Sequence, residues 1–121
     1  MKKATLVLAL AASLWAGSAS AMTVQEFLTA ANRIPRNPTA LLRADTRRLM
    51  NETKAAFGAV RSEQTAAQAA GRRPATCMPE KVSISAEALL ARFNAIPAAR
   101  RNISVTQAVR EWMAVEHPCP A

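Results

Sequence analysis

Large apolar side chains are scarce in this sequence once its first 21 residues are set aside, and that scarcity limits the folds open to it. From Met22 onward, 100 residues contain only 19 Leu, Ile, Val and Phe, while alanine alone supplies 21. Such a chain lies near the limit at which buried apolar area offsets the conformational entropy lost on folding. One small domain is the most it can build, and its thin core needs a supplement. The whole-chain figure of 50% hydrophobic residues conceals this.

The opening residues are different in kind. Lys2 and Lys3 give a positive start, Ala4 to Ala16 form an apolar stretch with Leu6, Val7, Leu8, Leu10, Leu14 and Trp15, and Ala19-Ser20-Ala21 has the small residues of a cleavage site. Residues 1–21 read as a cleaved export signal and residues 22–121 as the mature domain. The stretch is well short of the roughly 20 apolar residues that cross a bilayer, so no membrane span is expected after cleavage. The expected location is the periplasm.

Export favours disulfide formation, and the mature domain holds two cysteines, Cys77 and Cys119. A bridge between them is the expected supplement to the core, and closing a loop of that length stabilises by roughly 4 kcal/mol in the chain-entropy model. The spacing is not that of a Cys-x-x-Cys redox pair. The single histidine, His117, stands two residues from Cys119 beside Pro118, which suits neither a nucleophilic cysteine nor a metal centre. No metal and no cofactor are expected.

Periodicity and end signals predict four helices and no sheet. Thr23-Val24-Gln25-Glu26 is a capping box with Met22 and Phe27 at the staple positions, and it opens a helix carrying Phe27, Leu28, Ala31 and Ile34 up to Pro35. Asn37-Pro38 reads as the start of a second helix. Leu41, Leu42, Asp45, Leu49, Ala56, Phe57 and Val60 mark its largely apolar stripe, and Gly71 with Pro74 its end. That implies about 33 helical residues, roughly 50 Å, against a radius of gyration near 13 Å for a compact domain of this size. Either the helix breaks around Ser62 to Thr65 or a second subunit covers its far end, which makes a homodimer one expected assembly. Ala55, Gly58, Ser62, Ala66 and Ala69 form a line of small residues where another helix can approach closely. Ser85 caps a third helix with Leu89, Leu90, Phe93 and Ile96 inward. Ser104-Val105-Thr106-Gln107 is a second capping box, opening a fourth with Val105, Ala108, Val109, Trp112 and Met113. Val82-Ser83-Ile84-Ser85 is too short to propose a sheet. The expected fold is all-α: a small four-helix domain with one long helix and one disulfide.

The polar residues favour binding over catalysis. The eight carboxylates are scattered singly, and there is no phosphate loop, His-Glu helix motif or serine elbow. The mature domain keeps 14 basic groups, 12 of them arginine, for a net charge of +6. Arg43, Arg47, Arg48, Arg61, Arg72, Arg73, Arg92, Arg100, Arg101 and Arg110 suit an anionic partner, whether an acidic protein surface, an envelope polymer or lipid headgroups. They also suit a merely solvated surface. A nucleic-acid partner is not expected, since export removes the chain from the cytoplasm and no aromatic platform accompanies the arginines.

The stretch Gly71-Arg72-Arg73-Pro74-Ala75-Thr76-Cys77-Met78-Pro79, continued to Glu116-His117-Pro118-Cys119-Pro120, resembles the C-terminal half of the Rap family of type VI secretion immunity proteins. The family pattern is a Cys followed closely by Pro, an amphipathic helix ending near Pro, a second such helix, and a terminal Pro-Cys-Pro. Its features fall on Cys77 and Pro79, Leu89 to Ile96 with Pro97, Val105 to Met113, and Pro118-Cys119-Pro120. The resemblance implies a small helical periplasmic protein, commonly dimeric, that binds and blocks a cell-wall amidase effector. Further cysteines found in the N-terminal half of some members are missing here, and no toxin-contacting residue maps onto this chain. The alternatives from other classes are a periplasmic acid-stress chaperone-like protein, which needs acid-titratable interface groups, and an envelope-polymer binder.

Overall fold

A computed structural model describes residues 21–120. The export signal expected over residues 1–21 therefore falls almost wholly outside the described residues. The described chain is all-α: α1 (Val24–Asn32), α2 (Ala44–Ala69), α3 (Ala86–Asn94) and α4 (Val105–Glu116), with short 3-10 turns at Pro38–Leu42 and Ala98–Arg100. It contains the Cys77–Cys119 disulfide.

α1 begins as its capping box dictates. The Thr23 hydroxyl accepts from the Glu26 N–H at 3.1 Å, and the Thr23 N–H donates to the Glu26 carboxylate at 2.9 Å. Met22 and Phe27, the staple pair, are both buried. The helix ends at Asn32, before Pro35, because the last N–H groups turn back in tight bonds, Arg33 to Ala30 and Ile34 to Ala31. At the start of α4 only half of the expected second box forms. Ser104 Oγ accepts from the Gln107 N–H at 3.0 Å, while the Gln107 amide is drawn one turn onward to Glu111 at 2.9 Å.

The starts of α1 and α4 also satisfy each other. The Val24 and Gln25 N–H groups donate to the Ile103 and Arg101 carbonyls, both at 2.9 Å, and the Val105 N–H donates to the Met22 carbonyl at 2.8 Å. Donors that every helix leaves orphaned in its first turn are thus paired across the fold. Thr23 and Ser104 form an isolated antiparallel bridge, and no strand occurs among the described residues.

The long helix differs from expectation at its start. Residues 38–42 form a separate 3-10 turn capped by the Asn37 side chain, which accepts from the Thr39 N–H at 3.0 Å. Arg43 is extended, with φ −82° and ψ 142°, and pairs with Asp45 at 3.1 Å in the first turn of α2. Nothing packs over this turn, so Leu41 and Leu42 stay exposed and a continuous helix gains no burial by running through them. The break therefore falls at Arg43. α2 runs unbroken through Ser62 to Thr65, and its 26 residues span about 39 Å. It ends as the sequence indicates: Gly71 has φ +73°, the Arg72 N–H donates to the Ala67 carbonyl and the Gly71 N–H to Gln68, a Schellman arrangement.

The core lies where α1 and α4 meet the middle of α2. Phe27 and Phe93 pack edge to face with centroids 5.1 Å apart, and Phe57 meets Trp112 at 6.2 Å. Val24, Val60, Val105, Val109 and Met113 are fully enclosed. Ala56 in α2 and Ala108 in α4 are buried, so small side chains take part in the core of the two most closely associated helices. Of the small-residue line, Ala55, Gly58, Ser62, Ala66 and Ala69 are not buried, and a Cβ added at Gly58 meets nothing within 4 Å. Among the described residues no helix approaches there. Gly58→Ala is accordingly expected to stabilise the protein by up to about 1 kcal/mol through helix propensity. Gly71→Ala is expected to destabilise it by about 1 kcal/mol because of its positive φ, and urea denaturation of the oxidised variants measures both.

Candidate functional site

Two features stand out: a clasp at the C-terminal part of α2 that fixes residues 117–120, and an open apolar cleft beside the N-terminal half of α2.

The clasp is built on Gln64, a buried polar residue of α2. Its Oε1 accepts from the Met78 N–H at 2.7 Å and the Thr76 hydroxyl at 3.1 Å, while its Nε2 donates to the Met78 carbonyl at 3.1 Å. The residues on both sides of Cys77 are thereby held on α2. Cys77 in turn bonds to Cys119, with Cα atoms 4.9 Å apart, and its N–H donates to the His117 carbonyl at 2.8 Å. Arg73 closes the ring, its guanidinium donating to the Cys119 and Pro120 carbonyls at 2.8 and 2.7 Å.

Other arginines behave similarly. Arg61 donates to the Pro79 carbonyl at 2.7 Å, and Arg101 donates to the Asn94 and Ile96 carbonyls at 3.0 and 2.9 Å, where α3 ends. Arg110 grips Glu63 with two bonds of 2.7 and 2.6 Å, joining α4 to α2, and Arg100 pairs with Glu111 at 3.0 Å. Arg47, Arg48, Arg72 and Arg92 make no ion pair among the described residues. Of the arginines expected to face a partner, several are fasteners instead.

The cleft encloses about 570 Å³, within the range of binding sites. α1 supplies the floor with Phe27, Ala31 and Ile34. Thr46, Leu49, Met50, Thr53 and Lys54, one face of α2, form one wall, and Ile84 to Glu87 with Leu89 and Leu90 form the other. The cleft exists because α2 and α3 both pack on α1 and scarcely touch each other. Its rim carries Arg36, Lys54 and Glu87, all exposed. The Thr46 hydroxyl oxygen is buried beside it without a hydrogen-bond partner. A smaller hollow of about 280 Å³ lies between Lys81–Ile84 and Trp112–His117. Among the described residues no three His, Cys, Asp or Glu side chains gather as a group able to hold a metal.

Sequence periodicity marked Phe27, Leu49, Leu89 and Leu90 as inward-facing, but gave no signal that one end of that face stays open. Gln64 was missed, since a glutamine in an Ala/Gln-rich run looks solvated until its distant partners are known. No family model, no curated protein and no solved structure matches the chain.

Three carboxyl groups are held below the ordinary carboxylate range: Glu63 by the Arg110 fork, Glu111 by Arg100 and then Gln107, and Glu26 by the Thr23 N–H and then its hydroxyl. Each favours the folded state above the unfolded carboxyl value of about 4.3, and the contribution is lost as pH falls through the lowered folded value. These groups are largely solvent-facing, so the effects are modest and screened by salt. The melting temperature is expected to hold from about pH 7 to 5 and to fall below about pH 4.5, less steeply in Arg110→Gln. Thermal melts across that range, scored by circular dichroism, measure it.

The clasp gives a second prediction. Gln64→Ala leaves the buried Thr76 hydroxyl and Met78 N–H unpaired and is expected to cost about 2–3 kcal/mol. Reduction of the disulfide lowers the melting temperature in the wild type, and by less in Gln64→Ala, because the two fastenings hold the same turn. Melts with and without reductant provide the comparison.

Proposed function

We propose that this chain is a periplasmic, non-enzymatic binding protein, and specifically an immunity protein that blocks a cell-wall amidase effector of a type VI secretion system. The observation that carries the coarser reading is the apolar cleft, an open concave surface that the described residues leave uncovered although large apolar residues are few among them. A chain short of apolar side chains that leaves Met50 half exposed at such a cleft gains nothing in stability from it, and a partner is the physical reason to keep it.

The finer reading rests on the Rap-like resemblance. Some of its shared positions build the clasp: Cys77 and Cys119 form the bridge, and Pro118 and Pro120 flank the cysteine whose carbonyl Arg73 holds. An inhibitor that must survive outside the cytoplasm while occupying an enzyme's substrate cleft benefits from such a rigid end. The three carboxylates with lowered pKa lie away from the cleft lining. Acid would therefore loosen helix contacts and not open the cleft, which gives an acid-triggered chaperone no particular support.

The test is genetic and biochemical. If the reading frame beside this one encodes an exported or secretion-linked amidase, the two proteins are expected to co-purify, and the mature chain to protect cells that express the amidase in the periplasm. The absence of both complex and protection would remove the immunity reading for that pair.

A further inference from the structure

We infer that the cleft is a docking slot for an amphipathic helix of the partner protein, one that turns apolar side chains inward and carries carboxylates along its flanks. This deepens, and rests on, the reading of the chain as a protein-binding protein.

The shape of the vacancy supports a helix. α2 and α3 lie against α1 and leave a gap between themselves, the place another helix takes in a packed helical layer. Two turns of helix, about 11 Å long and 10–12 Å across, fill roughly 850–1,200 Å³. A cleft of about 570 Å³ seats the inward half of such a segment. Leu49, Met50 and Leu90 present the apolar contacts that an i, i+3, i+4, i+7 face requires. Met50 is 49% exposed there, which is unfavourable for a large apolar side chain in water and removed by a docked helix.

Charge selects the helix. Arg36 and Lys54 stand on the rim without an ion-pair partner among the described residues, against the single carboxylate Glu87. The mature domain is +6 overall, so the long-range field favours an acidic arrival. A second copy of this chain fits poorly, because a two-fold contact of cleft on cleft would oppose four rim cations with only two carboxylates. An acidic flank on a helix of another protein pairs with Arg36 and Lys54 and leaves both side chains partly in water.

The mature, oxidised protein is immobilised and panned against a phage-displayed helical library on a fixed scaffold. Inward positions are drawn from Leu, Ile, Phe and Met, and flanking positions from Glu, Lys and Ser. Glu is expected to be enriched over Lys at the flanks by at least about tenfold. Met50→Glu should abolish capture, and the double variant Arg36→Glu/Lys54→Glu should shift the preference towards Lys. All three positions are exposed, and circular dichroism verifies that the variants are folded. An absence of enrichment, a charge-blind selection, or equal capture by Met50→Glu would overturn the inference. So would a dimer of the wild type that Met50→Glu dissociates in sedimentation, or saturable binding of laurate without any peptide selection. If an amidase complex forms and survives Met50→Glu while the library yields nothing, the slot is wrong and the immunity reading stands. If the library converges and no amidase binds, the slot stands and the immunity reading falls.

Discussion

The turn after α2 and the residues that the disulfide ties to it depend on a single side-chain amide. Gln64 holds residues 76–78 on the helix through three hydrogen bonds, and the disulfide passes that attachment to residues 117–119. The domain buries few large side chains, so a constraint that lowers the entropy of the unfolded chain and a satisfied polar node in the folded one together do work that a larger core would do through area alone. α4, whose Val109, Trp112 and Met113 complete the core against α2, is thereby fixed at its far end as well as by packing.

The arginine excess belongs to the same economy of means. A loop that cannot be held by burying leucines can be held by a guanidinium that donates to its carbonyls, because one planar fork reaches two acceptors at once. Arg73 and Arg101 each reach two carbonyls in this way, Arg61 reaches the single carbonyl of Pro79, and Arg110 forks onto Glu63 between helices. What remains unspent is unevenly placed, and Arg36 and Lys54 fall at the open cleft. The positive charge is thus two populations, one structural and one facing outward.

Helix identity, the caps at Thr23, Asn37, Ser85 and Ser104, the Gly71 terminus and the disulfide were legible in the sequence because each is set by neighbours within a few residues or by a choice between two cysteines. The break at Arg43 was not. Leu41 and Leu42 continue the apolar stripe, and only the absence of anything to cover them ends the helix. Gln64, Arg61, Arg73 and Arg110 were illegible for a related reason: the partners that fasten them lie 12 to 47 residues away. The cleft was half legible, since periodicity marks which side chains face inward but not whether the facing helices meet.

The pairing of the first turns of α1 and α4 fixes an order of assembly. A chain that emerges amino end first presents α1 long before residues 101–105, yet the Val24 and Gln25 N–H groups find their acceptors only there. Until then α1 has neither its partner backbone nor Phe93 for Phe27, and nine residues of isolated helix are too few to persist in water. The packing of α1 therefore closes late, once residues 101–105 are present. Export as proposed, in which a chain is threaded through a narrow passage before it folds, is served by the place where these two first turns meet.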